Sequence, residues 1–361
     1  MLPAIRAGWR FFSSCISATA KSSPRRHRQG RAAGPPATVL LALLSAGCAT
    51  EPRGRCTMVE QAVMPVVNNR RQPIVQATID GRTVLFMVDT GARFSILSPQ
   101  LVTELGLWPD ENRKTRLLGA GGMIQAAPVE VRDMVIGGRH ARHAEFLVAG
   151  GNIHVNDGRM FGGIFGGDFL ASYDVDFDLP NKRIALYSEQ NCGNHLDIGW
   201  PDPVYEMPFS LEHDTAIRVT MKANDHAFGA ILDSGASGTI LDLAAAQAAG
   251  VPASATAADR HFTSEGIDEN QTRTVLHRFA SMSIGAERRS PYPMAIGDIE
   301  SGPLLGADFF RTHRIWVSYA HELLWIHPVG HVHQVEPAPA VVPIDPLHPL
   351  AAAAPVARDG R

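Results

Sequence analysis

The chain has 361 residues, 45% of them hydrophobic and 19% charged, with a formal net charge of −3. That composition is globular, with room for one large or two ordinary domains, and it excludes a disordered or coiled-coil chain. No basic face and no interleaving of aromatic with basic residues occurs in the body of the sequence, which argues against a nucleic-acid partner.

In chain order, Arg25, Arg26, Arg28 and Arg31 precede the apolar run ATVLLALLSAGC, Ala37 to Cys48. The run is too short to span a bilayer but suits the apolar region of an export signal, so residues 1–47 are expected to be a leader. LLSAGC resembles the lipobox of bacterial lipoproteins. The resemblance implies lipidation of Cys48 and a periplasmic protein held at a membrane by that lipid. Ser45 stands where the motif usually has an aliphatic residue, so cleavage without lipidation stays open. Residues 48–63 are expected to be a tether. Cys56 and Cys192 remain as an even pair; in an oxidising compartment they form a disulfide or are two unrelated thiols, and spacing does not decide between these.

The body is expected to be all-β and written twice. The first copy, residues 64–190, opens with PIVQATIDGRTVLFMVDTGA; the second, residues 205–328, opens with AIRVTMKANDHAFGAILDSGA. Alternating apolar residues rich in Val, Ile, Phe and Thr predict half-buried strands, joined by tight turns at Asp80-Gly81 and at Asn224-Asp225. A short helix follows in each copy. SPQLVTELGL begins with Ser98 as cap and Pro99 as first helical residue, and DLAAAQAAGV begins with Asp242 as cap. Gly106 and Gly250 then supply the left-handed residue that ends each helix. Farther on, Ile164-Phe165-Gly166 and Leu304-Leu305-Gly306 lead into Asp168-Phe169 and Asp308-Phe309, and each copy closes with a hairpin. The matching offsets argue for an internal duplication. Residues 191–204 read as a linker, and the Pro- and Ala-rich residues 329–361 as a disordered tail.

Each copy holds an ionisable residue inside an apolar stretch, Asp89 in FMVDTGARFSIL and Asp233 in AILDSGASGTIL. A lone carboxylate there is costly, because desolvating an unpaired charge is heavily penalised. The cost falls if the two copies face each other and the carboxylates share one proton, making an acid and a base at one pH. Such a pair can deprotonate a water that attacks a carbonyl and can donate to the developing oxyanion, with no metal or cofactor. Gly91 and Gly235 permit close backbone approach, and Thr90 and Ser234 supply hydroxyls able to reach the opposite loop.

These motifs, Asp89-Thr90-Gly91-Ala92 and Asp233-Ser234-Gly235-Ala236 with the two downstream glycine elements, resemble those of aspartic proteases of the pepsin and retropepsin superfamily. The resemblance implies two retropepsin-like β-barrel lobes facing across a cleft, with Asp89 and Asp233 as catalytic residues. It also implies an endopeptidase with a polypeptide substrate, acting as a monomer since both lobes share one chain. A substrate-covering hairpin is expected at RLLGAGGMIQ, with Gly119, Ala120, Gly121 and Gly122 at its tip; FTSEGIDENQ in the second copy resembles such a flap less. Asp168 and Asp308 are expected to cap local backbone rather than act as acids. His327, His331 and His333 match no firm metal-site spacing. Arg93 either lines the cleft or is solvated. A non-catalytic lipoprotein using the same cleft to bind a peptide or partner is the alternative reading.

Overall fold

The computed structural model describes residues 55–119, 122–150, 159–193, 196–201, 203–213, 215–265 and 271–329. The leader, Cys48, the flap-tip residues Ala120 and Gly121, and His331 and His333 in the expected tail lie outside the described residues.

The first lobe begins with strands β1 (Thr57–Asn68), β2 (Ile74–Ile79), β3 (Arg82–Val88) and β4 (Ile96–Leu97), then helix α1 (Pro99–Leu105). Strands β5 (Thr115–Gly119), β6 (Gly122–Ile136), β7 (Arg139–Val148) and β8 (Phe161–Phe165) follow. The lobe ends with α2 (Gly167–Leu170), β9 (Asp174–Asp178) and β10 (Arg183–Gln190). The second lobe repeats this order with β11 (Tyr205–Pro208), β12 (Ser210–Glu212), β13 (Ala216–Ala223), β14 (His226–Leu232), β15 (Ile240–Asp242) and α3 (Leu243–Ala248). Then come β16 (Arg260–Glu265), β17 (Gln271–Phe279), β18 (Met282–Ile284), β19 (Glu287–Arg289) and β20 (Tyr292–Gly297). The last elements are β21 (Leu304–Leu305), α4 (Ala307–Phe310), β22 (His313–Ser318) and β23 (Leu323–Pro328).

Local chemistry explains these elements. Asp80 and Gly81 both have positive φ, as do Asn224 and Asp225, so each pair makes the tight turn that matches strand twist. The side chain of Ser98 accepts a hydrogen bond from the Leu101 amide and Asp242 accepts one from Ala245, closing the first turns of α1 and α3. Gly106 ends α1 at φ 62°.

In the first lobe, β2, β3, β8, β4, β7 and β6 form a barrel that closes where β6 returns to pair with β2, Ala77 opposite Ile136. The second lobe has the same circuit, with β17 and β18 together taking the place of β6. The break between them falls at Ala280 and Ser281, whose amides donate to Asn224 Oδ1. Phe86, Phe146, Phe165 and Phe169 fill the first barrel and are essentially inaccessible to solvent.

The lobes are not strung as independent beads. Strands β11, β23, β22, β9, β10 and β1 form one continuous sheet in which β22 of the second lobe pairs with β9 of the first, Arg314 opposite Asp178 and Ser318 opposite Asp174. Asp176, fully buried in this sheet, accepts two hydrogen bonds from Arg314 at 2.9 and 2.6 Å and one from Arg183 at 3.0 Å. A buried carboxylate is tolerable with two guanidinium partners, and here one comes from each lobe.

Two boundaries differ from the sequence reading. Residues 57–63 are not a tether: β1 starts at Thr57, pairs with β10, and buries Ala62, Met64 and Val66. Its alternation is broken by a bulge between Glu60 and Ala62, which shifts the apolar register and hides the strand. The 191–204 linker is also anchored. Leu196 and Trp200 pack with Tyr187, Trp316 and Trp325, beside a disulfide between Cys56 and Cys192.

Candidate active site

The two triplet loops meet at the lobe interface. Each Asp sits where a strand end is held by the neighbouring glycine element: Asp89 N–H donates to Phe165 O and Asp233 N–H to Leu305 O, both at 2.9 Å. Gly166 and Gly306 are required because a Cβ there would lie 2.6 Å from the Phe94 carbonyl carbon and 2.4 Å from that of Gly238. The loop then folds back, with the Gly167 amide donating to Ala92 O at 2.7 Å and the Ala307 amide to Ala236 O at 2.8 Å.

Within each loop the carboxylate accepts two amides. Asp89 Oδ1 receives Gly91 N–H at 2.8 Å and Ala92 N–H at 3.0 Å; Asp233 Oδ1 receives Gly235 N–H at 2.8 Å and Ala236 N–H at 2.9 Å. The two carboxyl groups meet across the lobe interface, each against the other loop's glycine. Their approach is so close that a Cβ on Gly91 would lie 2.4 Å from Asp233 Cγ, and one on Gly235 would lie 2.2 Å from Asp89 Cγ. Only glycine fits at either position.

Burial raises the Asp89 carboxyl above its ordinary range, while the neighbouring Asp233 carboxyl and the amides of Ala92, Gly91 and Gly235 pull against it. Asp233 is raised further, by burial first and then by the negative charge of Asp89. Two carboxylates in contact and out of bulk water hold one proton between them, so one member is an acid where the other is a base.

Thr90 and Ser234 lie beneath the carboxylates, inaccessible to solvent. Each hydroxyl donates to a carbonyl of the opposite strand, Thr90 to Leu232 O at 2.5 Å and Ser234 to Val88 O at 2.8 Å. Each also accepts the other's amide. Asp168 and Asp308 take no part in the dyad. Asp168 Oδ1 receives the Ser95 amide and hydroxyl at 2.8 and 2.6 Å, and Thr239 donates to Asp308 Oδ1 at 2.8 Å. Ser95 and Thr239 in turn accept the Gly166 and Gly306 amides, so these acids brace the glycine elements.

Both flap candidates are antiparallel hairpins, β5 with β6 and β16 with β17, each at the free edge of its lobe's sheet. The sequence ranked the second lower because it is polar, yet its strands pair over Arg260 to Glu265 as fully as those of the first. Arg93 is exposed and stacks its guanidinium over the Phe94 ring at 5.0 Å. His327 Nδ1 lies 2.8 Å from Pro203 O. Sequence reasoning missed Tyr319, whose buried hydroxyl has no hydrogen-bond partner among the described residues; burial and then the charge of Asp89 hold its phenol well above the ordinary tyrosine range.

A pair of β-barrel lobes whose Asp loops meet at their interface is the architecture of pepsin-like aspartic proteases. The aspartyl protease family profile matches residues 75–169 and 219–309, one repeat per lobe and more than half the chain. The chain belongs to the aspartyl protease family. It is also similar to a crystal structure of an aspartic proteinase from Irpex lacteus, at 12% identity and a TM-score of 0.47, over 75% of this chain and 97% of that one. No curated protein matches the chain.

Proposed function

We propose that this protein is an aspartic endopeptidase in which Asp89 and Asp233 activate one water for attack on a peptide carbonyl. The charged member of the pair takes a proton from the water as it attacks, and the protonated member donates to the carbonyl oxygen as negative charge develops there. As the C–N bond breaks, the member that took the water proton gives it to the departing amine, and a hydroxyl of the tetrahedral diol returns a proton to the other member. This leaves a carboxylic acid, an amine and a singly protonated pair. Amide donors on Asp89 and Asp233 fix both carboxylates before substrate arrives, so little reorganisation accompanies the reaction. The observation that carries this reading is the meeting of the two amide-held carboxylates across a pair of glycines that nothing larger can replace.

Because one chain supplies both acids, the active form is a monomer. The two edge hairpins are the segments suited to close over an extended polypeptide and exclude water. Export to a bacterial envelope, with a lipid on Cys48, completes the proposal. The Cys56–Cys192 disulfide supports an oxidising compartment, and the apolar run ending at Cys48 supports the anchor.

Purified protein lacking residues 1–47 is expected to cleave an unfolded polypeptide, and Asp89→Asn or Asp233→Asn to abolish cleavage. Tight peptide binding without turnover by the unmutated protein would favour a binding lipoprotein instead.

A further inference from the structure

We propose that the two sides of the cleft select opposite kinds of residue: large and apolar where the substrate meets the first lobe, small or polar where it meets the second. The inference rests on the peptidase reading. The two triplet loops are related by near-twofold symmetry, with each hydrogen bond of Thr90 and Asp89 repeated by Ser234 and Asp233. A peptide bond cleaved between the carboxylates therefore sits at that axis, and the residues before and after it meet equivalent faces of different lobes. In an extended chain these two side chains point in opposite directions.

The equivalent faces have different chemistry. In β3, Val84, Phe86 and Val88 enter the barrel core, while Leu85 and Met87 point to the other face. There they join Ile74, Phe161 and Ile164 in a separate apolar cluster. Its half-open edge is Ala92, Phe94, Leu117 and Ile124, which runs from the loop that holds Asp89 out to the β5–β6 hairpin.

Strand registers identify the counterparts in the second lobe. Ile74 stands opposite Met87, whereas Arg218 stands opposite Ile231. Leu85 is paired with Gln76, whereas Gly229 is paired with Thr220. Leu117 faces Ile124 across the first hairpin, whereas Ser264 faces Thr272 across the second. Phe94 has Gly238 as its counterpart five residues after the Asp, and Phe161 has Ser301. Arg218 lies across Gly229, where a Cβ would be 3.0 Å from its Nη1, and Arg218 Nε donates to Glu212 at 2.6 Å. An ion pair thus occupies the ground that Leu85 fills in the first lobe. A large apolar group laid over it would strip water from both charges without replacing their hydration, whereas on the Phe94–Ile124 edge it gains burial.

The test is a peptide library cleaved by the unmutated protein, followed by the variant Leu117→Ser with Ile124→Thr, which installs the residues of the second hairpin. The expected profile has strong selection for Phe, Leu or Met at one residue flanking the scissile bond and none at the other. In the variant, kcat/KM for a peptide with Phe at the selected position should fall about tenfold. The matched Ala peptide should lose less, so that the Phe-to-Ala ratio narrows, and the preference across the bond should persist; Ile124→Thr alone should narrow the ratio by less. Equal apolar selection on both sides, or equal losses for the Phe and Ala peptides, would overturn the asymmetry while leaving the peptidase intact. Failure of the unmutated protein to cleave any library member would instead remove the peptidase and the asymmetry with it.

Discussion

Thr90 and Ser234 exchange hydrogen bonds across the lobe interface, Ser234 N–H donating to Thr90 Oγ1 at 3.0 Å and Thr90 N–H to Ser234 Oγ at 3.1 Å. Both residues are sealed from solvent, so neither amide has water as an alternative. Thr90→Val keeps the shape of the side chain and leaves the Ser234 amide and Leu232 carbonyl unpaired. It should cost about 1–3 kcal/mol, read as a lower urea midpoint, while Thr90→Ser should retain most of the stability. Equal midpoints for all three proteins would show that the hydroxyl does not hold the lobes.

The glycines after these residues have a different role, since they set the distance between the carboxylates. Gly91→Ala or Gly235→Ala places a Cβ within 2.4 Å or 2.2 Å of the opposite carboxyl carbon. The pair must separate to admit it. A displacement of that size should lower kcat/KM on an unfolded polypeptide by about 100-fold. Circular dichroism should report that the β-structure survives.

Asp174 makes stability depend on pH. It begins β9 opposite Ser318 of the other lobe, and burial pushes it up to about 6; the Ser318 hydroxyl and His321 oppose the shift and Glu189 adds to it. Its value in the unfolded chain is near 3.8, so the folded protein binds the proton more tightly. Stability is therefore greatest below the unfolded value and falls as pH rises through 6, by up to about 3 kcal/mol. Asp174→Asn should flatten melting temperature against pH between 4 and 7. The raised dyad acts in the same direction, so a reduced slope should persist.

The Cys56–Cys192 disulfide ties the start of β1 to the segment leaving β10, at a sequence separation of 136. Cys56→Ser with Cys192→Ser should lower stability by about 2–5 kcal/mol. Because β1 and β10 remain paired along their length, proteolytic activity at 25 °C should survive. Loss of activity in a protein that stays folded would contradict that separation of roles.

How much of this was legible in the sequence follows from the range of each interaction. The Asp80-Gly81 and Asn224-Asp225 turns and the Ser98 and Asp242 caps involve neighbours within a few residues, and composition reports them directly. The dyad was legible because duplication wrote the same phrase twice. The central sheet was not: β9 pairs with β22 across more than a third of the chain, and nothing in DVDFD shows that Asp174, Asp176 and Asp178 are all buried. Arg314, which makes Asp176 tolerable, lies in the other lobe. The β16–β17 hairpin was undervalued because polarity says how a hairpin meets water, not whether its strands pair.

The shared proton is tested most directly by kcat/KM against pH on one peptide substrate. A bell with two limbs is expected, the acid limb marking loss of the single charge on the Asp89–Asp233 pair and the other marking loss of its single proton. A profile with one limb, or a bell that persists unchanged in Asp89→Asn, would contradict the account.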